Sequence, residues 1–155
     1  MELVSEAIID FVIEELEEQN QEERILQLEQ GQPAILAYIL SDNFQMFTEE
    51  EKDYILFLAL TICLSVQKAY PDVPAINESQ IEKAEELNWD KLSDVKASQQ
   101  RERWTPFFID YPQEDLLAFV EDALEADEES QISKEARDVI FISMKSVIDA
   151  LTQSE

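Results

Sequence analysis

A chain of 155 residues with 36 acidic and 11 basic side chains carries a formal charge of -25, and its 45% hydrophobic content is enough for one core. That charge repels phosphate backbones and anionic bilayers, so direct nucleic-acid binding and membrane adsorption are not expected. One glycine, one cysteine and no histidine remove glycine-rich phosphate cradles, turn-rich β folds, internal disulfides, Ser-His-Asp triads and imidazole-bearing metal sites.

Residues 2–19 place Val4, Ile8, Phe11, Val12 and Leu16 on one helical face and Glu6, Asp10, Glu14 and Glu17 on the other. The segment is acidic and amphipathic, without the basic start or cleavage site of a targeting signal, and a cytoplasmic protein is the expectation. A second helix from Arg24 to Gln30 stops at Gly31, and Pro33 suits the first turn of a third, AILAYILSDN.

Thr48 and Glu51 form a capping-box pattern that opens DYILFLALTICLSVQKAY, apolar nearly all round and therefore the expected central helix, bounded by Pro71 and Pro74. Its apolar run from Tyr54 to Val66 is 13 residues long, short of the roughly 20 needed to cross a bilayer. Cys63 lies in this run as a small buried thiol, with no histidine to activate it.

Ser79-Gln80-Ile81-Glu82 reads as another capping box, opening a more polar helix to about Ser98, broken near Asn88. Ile81, Ala84, Leu87, Leu92 and Val95 are its expected inward positions and Trp89 its anchor, on the outside of the bundle. Pro112 then starts QEDLLAFVEDALEA, and Ser133 caps KEARDVIFISMKSVIDALTQ, whose Val139, Ile140, Met144, Val147, Ile148 and Leu151 form one stripe.

The expected architecture is all-α, a single acidic domain over residues 1–155 built as a compact bundle of about six or seven helices. Residues 33–70 and 112–152 also resemble each other. Thr48 pairs with Ser133 and Ile55 with Ile140 at an offset of 85, while Leu36-Ala37-Tyr38 pairs with Leu117-Ala118-Phe119 at an offset of 81. A duplicated helical hairpin with pseudo-twofold symmetry is the reading, with 71–111 as connecting helix and aromatic linker.

Within that linker RERWTPFFIDYP groups two arginines and four aromatics. Pro106 and Pro112 keep it extended or turned, so Trp104, Phe107, Phe108 and Tyr111 are read as lying in a seam, with Arg101 and Arg103 paired to carboxylates beside a candidate seam pocket.

Carboxylate pairs at helical spacing, Glu14 with Glu18 and Asp122 with Glu125, suit a hard cation only weakly, because acids meet at that spacing by accident in so acidic a chain. No cofactor or metal is expected, and no catalytic residue. Glu121, Asp122, Glu125, Asp127, Glu128 and Glu129, in a stretch free of Lys and Arg, are the candidate face for a basic partner protein. The functional expectation is a non-catalytic helical interaction or regulatory module. Alternatives are a small-ligand or carboxylate-metal helical protein and, ranked below it, an acidic mimic of DNA; a homodimer burying part of the long apolar helix stays open.

Overall fold

A computed structural model describes residues 1–96, 100–125 and 134–153. Among them are eight α-helices and no strand: α1 (Glu6–Glu17), α2 (Gln21–Gly31), α3 (Pro33–Ile39), α4 (Glu49–Ala69), α5 (Glu78–Ser93), α6 (Gln100–Trp104), α7 (Glu114–Glu125) and α8 (Lys134–Gln153). Short 3-10 turns follow α3 at Asp42–Phe44 and α6 at Thr105–Phe108. The all-α bundle is the expected class. The helix count is higher because Arg101–Trp104 is helical and its continuation is a 3-10 turn. Pro106 does not prevent this, since a proline near the start of a turn gives up no hydrogen bond.

Local signals place most helix starts. Ser5 accepts from the Ile8 amide and Asn20 from the Glu23 amide. Thr48 and Glu51 close the expected capping box on α4, whose last residue is Ala69. The cap of α5 lies two residues earlier than Ser79: Asn77 accepts from the Gln80 amide, and the Gln80 side chain accepts from the Asn77 amide. The cap at Ser133 lies outside the described residues.

The long helices α4 and α8 pack on each other at the centre. α1 lies along α4 and α5 along α8, while α3 and α7 pack on α4 and α8 respectively. Cross-contacts run from α3 to α5 and from α1 to α7. One hydrophobic cluster links every layer. Burial of α4 from Ile55 to Val66 is nearly continuous, as its composition requires, but α8 is the more enclosed helix, buried at every position from Ile140 to Thr152.

Several inward positions differ from the periodicity. Ile9 is buried where Phe11 is exposed, and Lys68 sits 3.9 Å over the Phe11 ring and shields it. Leu87 is 71% exposed, and its neighbour Asn88 takes the interior place. α5 runs through Asn88 unbroken because the amide finds partners on α8. Trp89 is no buried anchor. It stands at the surface, 36% exposed.

Candidate functional site

Two of the four aromatics in RERWTPFFIDYP belong to the interior. Trp104 and Phe107 are fully buried, Trp104 stacking on Phe141 with centroids 4.3 Å apart and Phe107 meeting the same ring edge-on at 5.6 Å. The Trp104 indole donates to Asp138 Oδ1 at 2.9 Å, and Arg103 donates to Asp138 Oδ2 at 2.7 Å. Phe108 is half-buried against the core. Arg101 lies in α6, its side chain outside the described part. The tight turn after these residues places Asp110 in the left-handed region at φ 55°, which a short polar side chain tolerates.

Tyr111 leads to a buried polar cluster between α5 and α8. Lys145 donates to Asp149 Oδ2 and to Asn88 Oδ1, both at 2.9 Å. Asn88 donates to Asp149 and to Ser146, both at 3.0 Å, and the Tyr111 hydroxyl donates to Asp149 Oδ1. Lys145 also lies 4.5 Å over the Tyr111 ring. Burial lowers the Lys145 pKa against the opposing pull of Asp149. Each polar group here has an internal partner, so the cluster fixes α5 on α8 rather than facing a ligand.

Burial, reinforced by Asp149 at Tyr111 and by Glu85 at Tyr38, holds both phenols above their ordinary value of 10.0, and burial alone raises Cys63 above 9.0. Groups whose folded pKa is raised stabilise fully below the unfolded value, so stability is expected to fall above about pH 9 and more steeply above pH 10. Lys145, lowered when folded, opposes this only up to its unfolded value of 10.5. Alkaline titration of phenolate absorbance with parallel denaturant melts checks it. Two tyrosines that ionise only on unfolding are the expected result, and ordinary titration of all four would refute it.

The expected acidic face is only partly described. Glu121, Asp122 and Glu125 bring carboxylate oxygens within 4.8 Å of one another at the end of α7, while Asp127, Glu128 and Glu129 lie outside the described residues. Asp122 is exposed, and Glu121 and Glu125 are half-buried with further interactions. Exposed acids gather this way without a metal, and this cluster alone assigns none.

Another site, absent from the sequence expectations, lies between α3 and α5. A cleft of about 270 Å³ has Tyr38 on one wall and Trp89 on the other, with Glu78, Glu82, Glu85 and Glu86 around them and no Lys or Arg in its lining. Glu78, Glu82 and Glu86 are exposed and follow one another at one-turn spacing, so the row repels itself along the helix. Among the described residues no ion pair involves them. Glu85 is held by the Tyr38 hydroxyl, which ties the two walls together. The signal was in the sequence: Glu78, Glu82, Glu86 and Trp89 share a helical face.

No helix among the described residues is long and apolar enough to cross a membrane. No family model, curated protein or solved structure matches this chain.

Proposed function

We propose that the chain is a non-catalytic interaction module that docks a basic segment of a partner protein in the α3–α5 cleft. The observation that carries this reading is the pairing of the exposed Trp89 ring with a row of glutamates that no Lys or Arg of the lining neutralises. An aromatic face and carboxylates together suit a guanidinium or ammonium group: the ring attracts the cation and covers its stem, and the carboxylates accept its hydrogens. The net charge of -25 adds long-range attraction for a basic chain. The same chemistry supports a small organic cation as a second reading, and the cleft volume of about 270 Å³ is of that scale.

The test is titration with an arginine-rich peptide, followed by Trp89 fluorescence at low and at physiological salt. Trp104 is buried, so quenching by acrylamide reports Trp89 and is expected to fall as the peptide binds. Affinity should weaken with salt, and Glu82→Gln with Glu86→Gln should weaken it by roughly three- to tenfold. Binding that leaves Trp89 unaffected would move the site elsewhere. Saturable binding of a free guanidinium compound at equal affinity would favour the small-ligand reading.

A further inference from the structure

Two glutamines do the same work in different parts of the chain. Gln32, just before α3, accepts from the Ile76 amide at 2.9 Å and donates to the Pro74 carbonyl at 3.1 Å. Gln113, just before α7, accepts from the Val4 amide at 2.9 Å and donates to the Glu2 carbonyl at 2.9 Å. Each amide thus grips a short segment at two backbone sites two residues apart. Gln32 and Gln113 stand at the same offset of 81 that pairs Leu36 with Leu117.

The gripped segments correspond as well. Val4 precedes the cap Ser5 of α1, and Ile76 precedes the cap Asn77 of α5, an offset of 72. Carried along the helices, that offset pairs buried Ile9 with buried Ile81 and buried Leu16 with buried Asn88. The packing follows the pairing: α1 lies on α4 and touches α7, while α5 lies on α8 and touches α3. Each of these first helices therefore rests partly on the other half.

The cleft between α1 and α7, about 360 Å³, falls at the matching place. Ala37, Tyr38 and Ser41 of the first cleft correspond to Ala118, Phe119 and Asp122 of this one, and Glu78 and Glu82 to Glu6 and Asp10. Asp115 adds another carboxylate, and no Lys or Arg lines it. We propose that the chain is an internal duplication from α1 to α4 and from α5 to α8, and that the α1–α7 cleft is a second docking site for a basic segment.

This inference rests on the reading of the α3–α5 cleft, and charge complementarity argues for the same class of occupant in both. The halves differ in one informative respect: the first cleft carries Trp89, and neither tryptophan lines the second. A module with two such sites holds a partner bearing two basic segments more tightly than either site alone.

Calorimetry with an arginine-rich peptide too short to span both clefts tests the proposal, alongside Trp89 fluorescence. Two peptides per chain are expected, with the fluorescence following only one. Glu6→Gln with Asp10→Asn should weaken one of the two sites by roughly three- to tenfold and leave the Trp89 response intact. Glu78→Gln with Glu82→Gln should weaken the other site by a similar factor and shift the Trp89 response with it. A wild-type stoichiometry of one, unmoved by the Glu6 and Asp10 changes, overturns the second site while the first stands. No binding at low salt removes both. The wild-type stoichiometry decides the matter even where a variant fails to fold.

Discussion

Trp104→Ala is expected to cost about 3–5 kcal/mol of stability and to lower the melting temperature by roughly 10 °C. The indole is fully buried, stacks on Phe141 and donates to Asp138, so its removal leaves a large cavity in the wall of α8 and one acceptor with a partner fewer. Arg103 still holds the other Asp138 oxygen, which limits the polar part of the loss. Urea melts with circular dichroism measure the change. A loss below about 1 kcal/mol would mean that the aromatic stretch collapses onto Phe141 without the ring. Peptide binding at the α3–α5 cleft should survive under conditions where the variant is folded.

Asp149→Ala is expected to have an effect of similar size, about 3–5 kcal/mol, for a different reason. Asp149 is the acceptor shared by Lys145, Asn88 and Tyr111, and its loss leaves a buried ammonium and two donors short of a partner. The decisive comparison is the double variant Lys145→Met with Asp149→Leu. Removing both charges avoids the uncompensated ion, so the double variant should be more stable than Asp149→Ala alone. If the two are equally damaged, packing rather than charge explains the loss. Equilibrium denaturation of the three proteins separates the cases.

The contrast between α4 and α8 explains how far the sequence could be read. Thr48 with Glu51 at the start and Tyr70 with Pro71 at the end fix α4 by local chemistry, and its uniform apolar surface leaves only one place for it. In α8 the row of Lys145, Ser146 and Asp149 has the pattern of a solvated face. It is buried because Asn88 and Tyr111, from distant parts of the chain, complete its hydrogen bonds. Periodicity contains no such information. Leu87 shows the reverse case: an apolar residue is exposed because its polar neighbour has the better partner inside.

Of the candidate site residues, Trp104 and Phe107 are buried around Phe141, Tyr111 is half-buried against the core, and Arg103 pairs with a carboxylate. The α3–α5 cleft was hidden because Tyr38 and Trp89 stand 51 residues apart in the sequence, and only packing brings them to one cleft. The proposed correspondence of α1 with α5 was hidden for a chemical reason. Leu16 is matched by Asn88, and the apolar pattern that would have aligned the two helices is broken at that position.

The grip of Gln113 on Glu2 and Val4 also bears on how the chain reaches this state during synthesis. Glu2 and Val4 are held by a side chain more than a hundred positions later, and the surface on which α1 meets α7 does not exist until that later segment has left the ribosome. Until then α1 has α4 to rest on but lacks its second support, and apolar residues such as Val4 stay uncovered. The acidic residues that recur through α1 and α2 oppose association of partly formed chains over that interval by like-charge repulsion.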